Sequence, residues 1–183
     1  MVKTHSLQHI QEALKKKFKG KKLVFGHGLI GSKIAFVGES PDEHEEREGK
    51  AFAGPSGQLL NQFLRKANID PRKVYVTHIL KYRPSPDRVP TLKEIKANVP
   101  FLKEEIKTIG PKVVVTLGTM ALSGIGLKLP LGNVHGKVFH FGDYSLLPTY
   151  HPAHGQSDPQ IGSIINLELA KIKELLAQKN EEA

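Results

Sequence analysis

The chain has no cysteine among its 183 residues. That excludes disulfides, thiolate zinc sites, cysteine nucleophiles and iron–sulfur clusters held by cysteine. It also lacks any apolar run of the roughly eighteen residues that a bilayer-spanning helix needs, so no membrane protein is expected. The opening stretch MVKTHSLQHIQEALKKKF has no apolar block behind its charges. It reads as an amphipathic helix rather than a secretory leader, and a cytoplasmic location is expected. Acid is scarce relative to base: 27 Lys and Arg face 18 Asp and Glu, for a net charge of +9. Such an excess favours a polyanionic partner such as nucleic acid, although Lys15, Lys16, Lys17, Lys19, Lys21 and Lys22 can equally solvate a helix end. What is present is an ordinary globular composition, 39% hydrophobic and 25% charged. Its length fits one domain spanning residues 1–183.

Four short apolar, partly β-branched runs alternate with helical patterns. Lys33–Gly38, Val74–His78, Val113–Gly118 and Ser145–Tyr150 are predicted as buried strands. Ser6 is placed to cap a first helix, over residues 5–19, whose apolar stripe is Leu7, Ile10, Leu14 and Phe18. Further helices are predicted over Gly57–Asn68, Thr91–Ile109 and Thr119–Ile125, the second kinking or restarting at Pro100 because proline cannot donate to the helical ladder. The stretch Lys128–Gly142 looks like a hairpin insertion. A final helix over residues 160–179, striped by Ile161, Ile164, Ile165, Ile172, Leu175 and Leu176, gives way to a charged tail. Alternating strands and helices imply an α/β fold, a three-layer α/β/α sandwich around a four-stranded, mostly parallel sheet. Ligands of such sheets bind at the carboxyl ends of the strands. Glu39, His78 with Lys81, Gly118 with Thr119, and His151 each follow one of those ends.

The few acids are not spread evenly: six of the ten residues from Glu39 to Glu48 are acidic. They fall inside a series of motifs comprising GESP (Gly38–Pro41), GKAFAGPSGQLL (Gly49–Leu60), VYVTHILKYRP (Val74–Pro84), PKVVVTLGTMA (Pro111–Ala121) and HPA (His151–Ala153). Taken in this order, each at a strand end, they resemble the uracil-DNA glycosylase superfamily, most closely its thermophile-type, iron–sulfur-containing branch. The similarity runs from about Lys33 to His154.

The resemblance implies hydrolysis of the N-glycosidic bond of uracil in DNA, by a monomer that releases free uracil and initiates base excision repair. The sugar gains positive character as the base departs with negative charge, so the site must serve opposite charges at its two ends. By resemblance, His151 donates a hydrogen bond to the departing base. Glu39 and Glu45 are the carboxylates with catalytic weight, Glu39 first because it sits directly at a strand end. A carboxylate there supports the cationic sugar and orients or deprotonates water. Gly38 and Ser40 of the first motif border the base and Phe52 stacks on it; His78 reads its edge. Ser56 and Gln58, in a glycine-flanked helix start, Gly118 and Thr119 at another, and Lys81 are expected at DNA phosphates. His154 and Gln156 are placed to fill the gap left in the duplex. Phe52 as plain core and Thr119 as a plain helix cap remain the ordinary alternatives.

The sequence departs from that branch in three places. Most members have asparagine at the position of His78, and an imidazole cannot copy the amide's paired donor and acceptor. Two of the branch's cluster cysteines correspond to Tyr82 and Asn98, and none lies upstream, so no cluster and no other cofactor or metal is expected. Tyr82 is the candidate to pack on Phe18, Leu23 or Phe25 in its place. The segment after HPA lacks a bulky or basic wedge, which makes single-stranded DNA an equal or better substrate than duplex. Three other readings stay open at this stage. They are a metal-dependent hydrolase built on Glu39, His44, Glu45, His78, His151 and His154, a binding relative without catalysis, and a glycosylase for hypoxanthine or xanthine.

Overall fold

The computed structural model describes residues 2–85 and 88–181. The last two residues of the expected charged tail lie outside them. Six strands form one sheet: β1 (His27–Gly28), β2 (Ile34–Gly38), β3 (Tyr75–His78), β4 (Val113–Leu117), β5 (Phe139–Phe141) and β6 (Tyr144–Thr149). Their order is β1-β3-β2-β4-β6-β5. The four predicted strands are the parallel centre, β3-β2-β4-β6, in register from Ala35↔Tyr75 to Leu117↔Thr149. Two short antiparallel edges were not foreseen as sheet members, β1 on β3 and β5 on β6. A two-residue strand leaves no alternation to detect. Phe139–Phe141 does form a hairpin, but with β6 itself, while the front of the expected insertion is a short helix, α6 (Leu131–Val134).

Side chains of the central strands alternate between two cores. Phe36, Val115 and Leu147 point to the face covered by α3 (Pro55–Lys66), α8 (Pro159–Leu169) and α9 (Lys171–Glu181). Val37, Val114 and Leu146 point to the face covered by α4 (Leu92–Ile109) and α5 (Thr119–Ile125). Burying a side chain such as Phe36 contributes about 1.5–3 kcal/mol, and both faces are lined this way. The result is the expected three-layer sandwich.

Helix boundaries differ from expectation in three instructive places. The first helix, α1 (Val2–Lys17), begins ahead of Ser6 rather than at it. α4 runs unbroken through Pro100, anchored at its start by a capping box between Thr91 and Glu94; packing of Leu102, Ile106 and Ile109 offsets the lost ladder bond. The single C-terminal helix is two, α8 and α9, divided at Ala170.

β2 and β4 are neighbours, yet α3 after β2 and α5 after β4 pass to opposite faces. A crevice opens at the carboxyl ends of strands connected in this way.

Candidate active site

Glu39 enters this crevice from the end of β2. Its Oε1 accepts a hydrogen bond from Met120 N–H at 3.1 Å, so the carboxylate occupies the start of α5. Gly118 makes that approach feasible, because a Cβ there would lie 2.4 Å from the same oxygen. The Gly118 N–H itself donates to Thr149 O across the sheet, and Thr119 is exposed. The α5 start expected to hold a phosphate is thus largely taken by Glu39, and Gly118 serves as its seat. Burial raises the Glu39 carboxyl above its ordinary pKa, outweighing the Met120 N–H and the charge of His154.

His151 caps a short helix, α7 (Pro152–Ser157), with Nδ1 accepting from Ala153 N–H at 3.1 Å. In the neutral ring the proton therefore resides on Nε2. Burial, then His78 and His154, lower its pKa to about 4 against the opposing pull of Glu45. At neutral pH His151 is an uncharged imidazole with one N–H to offer.

The acidic stretch is a helix rather than a loop. α2 (Glu43–Glu48) starts in a capping box, Asp42 accepting from Glu45 N–H while Glu45 Oε2 accepts from Asp42 N–H at 2.7 Å. This local chemistry turns Glu45 inward, to 2% exposure. Its Oε1 accepts from Phe52 N–H at 2.5 Å and from His78 Nε2 at 2.6 Å. Burial raises the Glu45 pKa, but the His78 hydrogen bond and the two backbone donors outweigh it, and the net direction is down. Three of the roughly four acceptor positions of this buried carboxylate are thus taken by the protein itself. The catalytic expectation for Glu45 gives way to a positioning one, while Glu43 and Glu48 face solvent.

Phe52 takes a left-handed backbone, φ 57°, which turns its ring against His78. The two rings stack with centroids 4.6 Å apart and planes at 26°. One face of Phe52, expected to receive a flipped base, is thus already covered by an imidazole. Gly38 fits closely beneath both rings, since a Cβ there would lie 2.4 Å from His78 Nδ1 and 2.8 Å from Phe52 Cζ. Ser40 is half-buried, two residues beyond Gly38 in the chain.

On one flank, the starts of α3 and α7 form a groove of about 330 Å³ lined by Ser56, Gln58, Gln62, Ala153 and Gln156. The structure thus brings together Ser56, Gln58 and Gln156, three residues expected at DNA. His154 is exposed, and its charge is felt by both Glu39 and His151. Lys81 is not at this surface. It is wholly buried, with Nζ donating to Thr77 Oγ1 at 2.6 Å and to Glu105 Oε2 at 2.9 Å, and the expectation of a phosphate contact is corrected accordingly. Sequence reasoning could not supply the backbone donors of Met120 and Ala153, because they carry no side-chain signal. Among the described residues, no three His, Asp or Glu side chains converge as a metal site.

A family profile described as Uracil DNA glycosylase superfamily matches residues 25–162, most of the chain and all of this site. The chain belongs to the uracil-DNA glycosylase superfamily. Relatives in the superfamily include the type-4 uracil-DNA glycosylase of Saccharolobus solfataricus, 34% identical over 169 residues, which are 87% of this chain and 78% of that one. That of Sulfurisphaera tokodaii is 35% identical over 160 residues, 82% of this chain and 73% of the relative. That of Thermotoga maritima is 38% identical over 135 residues, 72% and 70%.

An iron–sulfur cluster of the kind the resemblance brings to mind does not fit these residues. Tyr82 packs edge-on to Phe18 at 5.1 Å between centroids, beneath Lys21 Nζ at 5.0 Å, and bridges Leu23 through the backbone. Phe101 also packs on Phe18, at 5.9 Å between centroids. Asn98 accepts from Lys81 N–H at 3.0 Å and donates to Glu94 O at 2.9 Å. Edge-packed rings and a satisfied amide join the end of α1, α4 and the loop after β3 where thiolates would be needed. Among the described residues, no helix is long and apolar enough to cross a membrane.

Proposed function

We propose that this superfamily member is a monofunctional uracil-DNA glycosylase that uses water as nucleophile and no cofactor, and that it opens base excision repair. The relatives that carry this activity in their names match over most of the chain. The observation that carries the mechanism is the neutral His151, whose Nδ1 is fixed by Ala153 N–H so that Nε2–H is free for an acceptor. As the bond from the sugar carbon to uracil breaks, its electron pair passes to the base, and Nε2–H stabilises the oxygen on which that charge collects. Water adds to the sugar carbon and gives up a proton. Glu39, anionic yet raised in pKa by burial, is suited to attract the cationic sugar and to receive that proton. Ser40 has no basic group to offer in its place.

Lyase activity is not expected, because Lys81, the lysine that follows His78 in the sequence, is held between Thr77 and Glu105. A second reading, excision of hypoxanthine or xanthine, draws support from His78, whose Nε2 is committed to Glu45. Oligonucleotides carrying each lesion, single-stranded and paired, test both readings. Release of free uracil, leaving an intact abasic strand, is expected. Release of a purine lesion faster than uracil would move the assignment to the second reading, and no release of any base would overturn both.

A further inference from the structure

Glu45 is the only partner of the His78 ring nitrogens among the described residues, and it engages Nε2. A carboxylate held in the ionised form accepts, so Nε2 carries the proton. The other ring nitrogen, Nδ1, is buried and has no hydrogen-bond partner. His78 is 3% exposed, stacked on Phe52, and its Nδ1 edge lies over Gly38 at the carboxyl end of β2. A buried acceptor without a donor is costly, and a ligand that brings a donor relieves that cost.

We propose that His78 reads the target base through Nδ1 as an acceptor alone, selecting a ring N–H next to a carbonyl, and that Glu45 is the positioning residue that fixes this tautomer. The inference rests on the base-excision reading of the site. Uracil presents such an N–H at N3, and hypoxanthine and xanthine present the same lactam edge. Cytosine and adenine present a bare ring nitrogen there, whose lone pair would face the lone pair of Nδ1. The site therefore rejects cytosine and adenine at the ring nitrogen. The exocyclic oxygen receives no donor from His78, so tolerance among deaminated bases widens. A side-chain amide at this position would read both atoms.

Every element packed on His78 supports the assignment. α2 supplies the Glu45 carboxylate and the loop after it supplies the Phe52 ring, while β2 supplies the Gly38 backbone. Among the described residues, the carboxylate of Glu39 and the neutral ring of His151 are also titratable neighbours. Glu45 also holds Phe52 N–H, so the ring stacked on His78 and the reading edge are set by one side chain.

Nitrogen NMR of the full-length protein labelled with ¹⁵N-histidine tests this directly, with His78→Asn assigning the resonances by their disappearance. At pH 7 the expected spectrum shows Nε2 protonated and Nδ1 bare. A single-stranded oligonucleotide carrying 2′-fluoro-2′-deoxyuridine, whose fluorine resists hydrolysis, should shift Nδ1. The 2′-fluoro-2′-deoxycytidine strand should leave it unmoved and bind about tenfold or more weakly. A protonated Nδ1 in the uridine complex, or an equal response to cytidine, would overturn the proposal. Glu45→Gln should leave His78 in mixed tautomers and narrow the uridine-to-cytidine preference about tenfold; a merely structural Glu45 would lower the melting temperature with the tautomer unchanged. If Glu45→Gln does not fold, the ratio of 4-thiouracil to uracil release decides. His78→Asn should penalise the sulfur about fivefold or more relative to wild type, because only the amide donates to the exocyclic atom; an unchanged ratio contradicts the proposal. A U-selective Nδ1 shift without base release would sink the glycosylase reading while leaving this one intact.

Discussion

Glu39 and Met120 are joined by a 3.1 Å hydrogen bond from the Met120 amide to the carboxylate, linking the end of β2 to the first turn of α5. A charged side chain is thereby fixed at the crevice mouth by a backbone group, in a neighbourhood dry enough to raise its pKa. On the far side, His151 is kept neutral by the same dryness and by its histidine neighbours. The pH dependence follows from these two shifts. Glu39 works as the carboxylate, so uracil release should decline on the acid side from a pH above the ordinary Glu value of 4.5. His151 contributes no inflection near 6.5, since it stays neutral until about pH 4. Glu39→Gln should slow release about 10²-fold or more and remove the upper part of the acid limb, read from single-turnover rates between pH 4 and 9.

The same His151 shift has a sign for stability. Its folded pKa lies below the unfolded one, so the unfolded chain takes up a proton first. Stability from this group is whole above about pH 6.5 and is lost as pH falls toward about 4. Thermal melts of wild type and His151→Asn across that window should converge as the pH drops.

Lys81 should matter for folding rather than for DNA. Its charge is buried against Glu105, and Tyr75, pushed up by burial and by Glu105, stays a neutral phenol beside the pair. Lys81→Ala leaves the Glu105 carboxylate unpaired and should cost about 3–5 kcal/mol in urea unfolding. The salt dependence of DNA binding should be unchanged, whereas loss of one phosphate contact would lower its slope by roughly one.

The aromatic contact between α1 and the loop after β3 should stand in for a cluster. Tyr82→Ala removes a ring packed on Phe18 and should destabilise by about 3 kcal/mol. Iron chelators should leave the melting temperature and the activity of the wild type unchanged.

Gln156 lines the groove beside Ser56 and Gln58, and the α7 segment offers no apolar wedge. Uracil in a single strand should be released at least as fast as uracil in a duplex, because no unpairing cost arises. Gln156→Leu should raise the duplex rate selectively; a faster single-strand rate in that variant would contradict the wedge account.

Much of this was legible in the residues. Val113–Leu117 and Ile34–Gly38 are apolar on both faces, and only a strand buried on both sides in a parallel sheet needs that. Glu39, His78, Gly118 and His151 each follow such a run, so the strand order alone brings them to one rim. What stayed hidden depends on contacts between segments distant in sequence. Glu45 looked like a second catalytic acid because nothing in GESPDEHEE reveals that its oxygens are taken by Asp42, Phe52 and His78. Lys81 looked like a DNA lysine because its partner, Glu105, lies 24 residues away on α4. The β5 edge was masked by its length of three residues.

The central claim is that one imidazole N–H, fixed at the end of β6, stabilises the departing base. Single-turnover release of uracil from a single-stranded oligonucleotide by His151→Ala, set against wild type at pH 7.5, tests it most directly. A fall of about 10²–10³-fold at saturating enzyme, with DNA affinity retained, is predicted. A variant within a factor of two of wild type would contradict it.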